Sequence, residues 1–283
     1  LGERRIGHTG TLDPMASGVL VLAVGAATKL TPFLDEERKV YRARLVLGLT
    51  TDTQDLTGQV LSARLDTRVS RNQLAAALAF FTGEQEQIPP MYSALKVKGE
   101  PLYKLARAGK EIPRAKRKIT IYRLEAAETL LPAYGYQEGP RLLIECSRGT
   151  YIRTLCHDLG AYLGYGGCMG DLSRLASGSF RLDAACSLEE LAQSAQKGEA
   201  GQFLISPVDA LNHLPMVHLS PDSGEKVRHG GRLKIGDYAK PPGPEACRPG
   251  QLVRGITNDG RLLAILKYIE GSSSYWQPVR VLT

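Results

Sequence analysis

Residues 7–20 read Gly7-His8-Thr9-Gly10-Thr11-Leu12-Asp13-Pro14-Met15-Ala16-Ser17-Gly18-Val19-Leu20, and no other stretch of the chain is so densely built of special-purpose residues. Glycines, threonines and a proline surround one carboxylate, the composition of a loop whose backbone is shaped to present a side chain. Pro14 pushes Asp13 into an extended conformation, off any helix. A carboxylate on a tight loop between apolar segments serves as a nucleophile or as a base. The plain alternative is an Asx-turn, in which Asp13 bonds only its own backbone. The apolar run that follows, Val19 to Ala27, is about half a bilayer span and is punctuated by Gly25, which excludes a transmembrane helix there.

Around this loop lies a chain of ordinary globular composition, 43% hydrophobic and 23% charged, which argues against disorder. Its 283 residues exceed one small core and predict two domains. No charged segment followed by an apolar one opens the sequence, so secretion is not expected. The cysteines Cys146, Cys156, Cys168, Cys186 and Cys247 are odd in number, widely spaced and never CxxC. That pattern fits neither a disulfide framework nor a zinc site, and points to the reducing cytoplasm.

The net charge of +7 is concentrated rather than spread. Residues 96–123 hold ten basic residues (Lys96, Lys98, Lys104, Arg107, Lys110, Arg114, Lys116, Arg117, Lys118 and Arg123) against only Glu100 and Glu111, more than the whole net excess. Tyr103 and Tyr122 lie inside the block and Tyr92 just before it. A basic block with interleaved aromatics is the footprint of a phosphate-backbone contact; the alternative is a solvated surface loop. The apolar residues form no long amphipathic stripe, which disfavours an anionic membrane surface.

Hydrophobic patterning predicts a strand over 40–48 ended by Gly48, a polar turn, and a second strand at 59–63. Ser70 caps a helix over Leu74, Leu78 and Phe81 that stops at Gly83. Residues 141–147 predict a strand that turns through Arg148-Gly149-Thr150 into a helix with Ile152, Leu155, Cys156, Leu159 and Leu163 on one side. Ser187 and Glu190 have capping-box spacing ahead of a helix ending at Gly198. After a linker near Ser206–Asn212, residues 212–283 are rich in Gly and Pro, with apolar runs at 252–256, 262–269 and 279–282. These predict a small all-β barrel. The fold class expected is α+β followed by a small β-domain.

The loop GHTGTLDPMASGVL resembles the catalytic-loop signature of the TruB family, the bacterial tRNA pseudouridine-55 synthases. The resemblance continues in order through Lys39-Val40-Tyr41, Asp52-Thr53-Gln54-Asp55-Leu56-Thr57-Gly58, Pro89-Pro90-Met91-Tyr92-Ser93-Ala94 and Gly109-Lys110-Glu111-Ile112-Pro113-Arg114. It extends through Cys146-Ser147-Arg148-Gly149-Thr150-Tyr151-Ile152-Arg153-Thr154-Leu155 to Leu172-Ser173-Arg174 and Ser177-Gly178-Ser179-Phe180. Residues 212–283 resemble, more weakly, the PUA domain, a small RNA-binding barrel. One departure stands out: the family pattern opens with a strand and a Lys-Pro segment ahead of the catalytic loop, and this sequence does not contain them, so an N-terminal piece is expected to be missing.

The resemblance implies a pseudouridine-synthase core of mixed, largely antiparallel sheet with flanking helices over 1–211, an RNA-gripping insertion at about 92–123, and a PUA-like domain over 212–283. It implies an isomerase that detaches uracil from C1′ of a tRNA uridine, turns the base and rejoins it through C5. No redox change or phosphoryl transfer occurs, so no cofactor or metal is expected, and the sequence carries no GxGxxG, P-loop or His/Cys ligand cluster. Asp13 corresponds to the carboxylate at the base–sugar junction. A carboxylate beside an extruded base loses its charge on desolvation unless a fixed cation stands next to it. Arg153 corresponds to that cation, and a guanidinium suits it because it cannot lose its proton. Without the resemblance, Arg153 reads as a surface arginine in a first helical turn, where the helix dipole disfavours it.

Tyr41 corresponds to the tyrosine that stacks on the target base and helps move the C5 proton; it also reads as a core strand aromatic, and one ring can do both. A stacked uridine must be flipped out at a cost of a few kcal/mol, and His8 corresponds to the wedge that fills the gap. Leu172 corresponds to an apolar wall of the uracil pocket and Tyr151 to an aromatic beside the carboxylate; both also read as plain core. Lys116, Arg117 and Lys118 fall where the family grips RNA, with specificity coming from loop shape. The partner implied is tRNA, with no obligatory protein partner, no membrane and a monomeric enzyme. Two alternatives are a guide-RNA-dependent relative and a tRNA-binding folding chaperone.

Overall fold

The computed structural model describes residues 2–34, 38–97, 99–240 and 242–282. Lys98 of the basic block lies outside the described residues. The chain divides into two compact units: residues 11–20 with 36–184, and residues 1–10 with 21–35 and 185–283.

The first unit is organised by the strand Arg38–Leu47, whose alternate residues Lys39, Tyr41, Ala43, Leu45 and Leu47 are buried while Arg38 and Arg42 face solvent, the period of two a half-covered sheet requires. It pairs antiparallel with Arg141–Ser147 on one side and Gly167–Ser177 on the other. Arg117–Ala126 and Gly83–Gln87 extend the sheet beyond Arg141–Ser147, and Phe180–Arg181 closes the far edge. Ser17–Gly18, from the end of the Asp13 loop, runs parallel to Gly167–Ser177 and makes the seven-stranded sheet mixed.

Two helices cover the buried face. Ser70 caps Arg71–Phe80 with a complete capping box to Gln73, satisfying donors the helix start leaves open. The helix Ile152–Tyr162 buries Ile152, Leu155, Cys156 and Leu159, the three–four spacing of one face; each such large side chain contributes roughly 1.5–3 kcal/mol by leaving water. Gly160 lets this helix touch the sheet: a Cβ there would stand 2.1 Å from the Gly167 nitrogen.

Three strands of five or more residues in this sheet were not expected from sequence, Gly83–Gln87, Arg117–Ala126 and Gly167–Ser177, nor were the two-residue strands Ser17–Gly18 and Phe180–Arg181. Gly83 opens the first of them rather than merely ending a helix. Arg117 and Lys118 likewise begin a core strand rather than sitting in a loop.

In the other unit, Ile6–Thr9 pairs with Val21–Val24. The Ser187 capping box is present and starts Leu188–Gln196. The expected linker near Ser206–Asn212 is instead a helical turn, Pro207–Ala210, capped by Ser206. Buried Arg254 ties it down, donating to the Val208 carbonyl at 2.7 Å and the Leu214 carbonyl at 2.8 Å. The segment expected to be all-β contains a helix, Pro221–Arg228, beside a five-stranded sheet ordered Met216–His218, Leu252–Ile256, Leu262–Ile269, Tyr275–Val281 and Leu233–Lys234. Its core gathers Val217, Val227, Leu233, Val253, Leu266 and fully buried Trp276. Among the described residues no helix is long and apolar enough to cross a membrane.

Candidate active site

The site is built around the first turn of the helix Ile152–Tyr162. Its N-cap, Tyr151, offers no side-chain cap. The buried Gln87 amide supplies the missing partner from a neighbouring strand, accepting from the Tyr151 N–H at 2.8 Å and donating to the Tyr151 carbonyl at 3.0 Å. Ile152 then turns into the core and Arg153 into the space beside the Asp13 loop. Arg153 is only 5% exposed, so the surface-arginine alternative does not hold.

Asp13 does not make an Asx-turn. Both of its carboxylate oxygens accept from Arg153, Oδ2 from Nε at 2.9 Å and Oδ1 from Nη2 at 2.8 Å, while its carbonyl closes the turn by accepting from Ala16 N–H at 2.9 Å. Two parallel bonds from one planar fork fix both position and orientation. The remaining guanidinium donors go to main chain: Nη1 to the Thr53 carbonyl at 3.0 Å and Nη2 to the Tyr92 carbonyl at 2.8 Å. Three loops, 11–16, 52–58 and 89–94, are therefore tied to one side chain.

A second carboxylate lies on the other side. Asp55 Oδ2 is 3.7 Å from Arg153 Nε. Its Oδ1 accepts from Thr53 Oγ1 at 2.7 Å, Thr57 N–H at 2.9 Å and Thr57 Oγ1 at 2.5 Å. The Asp55 side chain is 6% exposed and that of Asp13 29%. One guanidinium between two carboxylates leaves a net negative charge, and burial decides where it is accessible. Asp55 is sealed by its threonines, so Asp13 is the carboxylate open to a substrate.

Tyr41 lies in the same core cluster as Leu172, with Met15 and Ala16 of the Asp13 loop packed against it. Burial pushes the Tyr41 phenol up to about 12, with Cys146 and Asp13 adding and Arg174 opposing. At pH 7 it is a neutral donor and an aromatic face. Asp13, Tyr41, Arg153, Tyr151 and Leu172 thus share one unit. His8 belongs to the other unit, exposed on Ile6–Thr9 opposite Leu22. Lys116 pairs with Glu86 at 3.3 Å on exposed surface. Arg117 and Lys118 pair in register with Gln87 and Glu86, so the cationic segment ends one strand away from the amide that holds Tyr151.

Sequence reasoning assigns no role to Asp55, Gln87 or Arg174. Asp55 is within its reach, since a second aspartate in the DTQD motif is as conspicuous as the first. Gln87 and Arg174 carry no signal, because a buried polar side chain on a strand is recognised only through its partners. Among the described residues no group of three or more His, Cys, Asp or Glu could hold a metal ion.

Residues 1–152 match the family model described as TruB family pseudouridylate synthase (N terminal domain), and residues 153–212 that described as tRNA pseudouridylate synthase B C-terminal domain. The chain is 48% identical over 230 residues to tRNA pseudouridine synthase B of Geobacter sulfurreducens, covering 81% of this chain and 74% of that one. It is 44% identical to the protein of the same name from Geotalea uraniireducens, over 94% of this chain and 83% of the other. Among solved structures it resembles a chain of "Crystal Structure of a Cbf5-Nop10-Gar1 Complex", with a TM-score of 0.73 and 25% identity over 99% of this chain and 77% of that chain.

Proposed function

The chain belongs to the TruB family of pseudouridylate synthases, and from that premise we infer that it isomerises uridine to pseudouridine in the T-loop of tRNA, at position 55. The enzyme is an isomerase: the N-glycosidic bond breaks, the uracil turns, and a carbon–carbon bond forms between C5 and C1′. The C5 proton leaves and N1 gains one, so atoms balance without a co-reactant. The observation that carries this reading is the accessible Asp13 carboxylate held in two hydrogen bonds by buried Arg153. A preorganised ion pair of that kind keeps a charged oxygen at a site from which the bound base excludes water.

In this reading Asp13 acts at the base–sugar junction, and Arg153 fixes its charge and direction. Tyr41 stacks on the flipped base and takes part in moving the C5 proton, while Leu172 and Tyr151 wall the uracil. His8 fills the space the base vacates. Lys116, Arg117 and Lys118 grip the RNA backbone, and residues 212–283 act as a PUA-like RNA-binding barrel. The enzyme works in the cytoplasm as a monomer and needs no guide RNA, although the Cbf5 relative it resembles was solved in a complex with other proteins. Incubating the protein with an unmodified tRNA transcript and mapping pseudouridine by mass labelling tests this. Conversion of one T-loop uridine by the protein alone is expected; no conversion, or conversion only with added guide RNA, would contradict it.

A further inference from the structure

Arg174 is a buried charge that the reaction described above leaves unused. It is 1% exposed, and its Nη2 has no hydrogen-bond partner among the described residues. Burying a guanidinium costs several kcal/mol unless its donors and its charge are answered, yet the two carboxylates of the site, Asp13 and Asp55, both pair with Arg153.

Arg174 faces two parts of the catalytic apparatus. Its Nε donates to the Val19 carbonyl at 2.7 Å, and the Val19 N–H donates to the Arg174 carbonyl at 2.9 Å. These bonds fasten the exit of the Asp13 loop to the strand Gly167–Ser177. In that strand's register with Arg38–Leu47, Arg174 stands opposite Tyr41, so the two side chains leave the same face of the sheet. Three groups act on the phenol: the Cys146 thiol from Arg141–Ser147, the Asp13 carboxylate from the loop, and the Arg174 guanidinium. The first two disfavour negative charge on its oxygen, and Arg174 favours it.

We propose that Arg174 is a positioning residue for Tyr41, the counter-ion that holds the phenol oxygen in place and stabilises negative charge on it as it takes the C5 proton. The proposal rests on reading Tyr41 as the C5 base. For that step the phenol first gives its own proton to water. Its oxygen then forms a new O–H bond with the C5 proton, and the C–H electron pair returns to the uracil ring. Tyr41 ends as it began. With the phenol at about 12, only about one molecule in 100,000 carries the charged oxygen at pH 7, so a cation fixed beside it raises the reactive population directly.

The test places a fluorinated tyrosine at position 41 and follows its fluorine resonance against pH in three proteins: Arg174, Arg174→Lys and Arg174→Met. Loss of the cation in Arg174→Met is expected to raise the midpoint by about one pH unit or more and to slow turnover about tenfold, with Arg174→Lys restoring most of both. An unmoved midpoint would overturn the proposal. If Arg174→Met fails to fold, Arg174→Gln, which keeps polar donors without the charge, gives the same comparison. A merely structural arginine would alter the melting temperature and leave the midpoint in place. Full activity in Tyr41→Phe would instead overturn the reading of Tyr41 as the base, while the titration still reports on Arg174.

Discussion

Arg153 holds Asp13 by two hydrogen bonds, Nε to Oδ2 at 2.9 Å and Nη2 to Oδ1 at 2.8 Å, across 140 positions of sequence. Both donors come from one rigid plane, so the carboxylate cannot rotate without breaking both bonds. The same guanidinium binds carbonyls of the 52–58 and 89–94 loops. The pair is therefore the hub on which three loops assemble, as well as the source of the site's charge.

Arg153→Lys is not a conservative change here. An ammonium offers a point charge in place of the fork, so the two bonds to Asp13 and the two to main chain cannot all be kept. Arg153→Ala takes away the cation 3.7 Å from buried Asp55, and breaking a buried pair from one side costs about 3–5 kcal/mol. Urea unfolding should show Arg153→Ala as the less stable of the two and Arg153→Lys as folded but at least about a hundredfold slower, a loss of about 3 kcal/mol from the barrier-lowering interaction.

Alkaline stability should carry a Tyr41 signature. The folded phenol sits at about 12 against an ordinary 10.0, burial being the main cause. Below pH 10 both folded and unfolded chains keep the proton. Between the two values only the unfolded chain loses it, so stability falls as pH rises, by about 3 kcal/mol in all. Cys146, pushed up to about 12 from 9.0 by burial, acts in the same direction from a lower pH. Unfolding free energies measured from pH 8 to 11 should fall less steeply above pH 10 in Tyr41→Phe than in the parent chain; superimposable curves would refute the assignment.

Gly18→Ala probes how the catalytic loop is anchored. Gly18 has φ +101°, and a Cβ there would stand 2.2 Å from the Arg174 carbonyl. Both the backbone conformation and the space demand glycine. The substitution should cost about 2–4 kcal/mol and slow turnover more than it weakens tRNA binding, because it displaces Ser17–Gly18 from Gly167–Ser177. Thermal melts alongside single-turnover rates would read both effects.

Single elements of the fold are legible in the sequence wherever one physical signal dominates. The alternation in Arg38–Leu47, the Ser70 and Ser187 caps and the apolar face of Ile152–Tyr162 are local, and each can be read directly. Gly83–Gln87 cannot, because GEQEQ has no apolar alternation and is a strand only through pairing with Arg117–Ala126. The Asp13–Arg153 contact follows from family resemblance rather than from spacing, since nothing local links positions so far apart. Asp55 is visible as a residue but not as a partner; its role depends on a fold that brings its Oδ2 within 3.7 Å of Arg153 Nε.

The cationic segment predicts a salt effect. Lys116 is committed to Glu86 on exposed surface, a pair worth under about 1 kcal/mol, so an RNA phosphate can compete for it. Changing Lys116, Arg117 and Lys118 together to Gln should weaken tRNA binding and flatten the logarithmic salt dependence by about 2, or roughly 0.7–0.9 for each phosphate left without its cation. An unchanged slope across a salt titration would return these residues to the role of solvated surface charges.

The function proposed for the chain turns on the Asp13 oxygens, and Asp13→Asn tests this most directly because the amide keeps the size of the side chain and removes its charge. Pseudouridine mapped by mass labelling in tRNA incubated with Asp13→Asn should be absent, while tRNA binding stays within about threefold of the parent, under 1 kcal/mol. Pseudouridine formed by Asp13→Asn at anything near the parent rate would contradict the role given to this carboxylate.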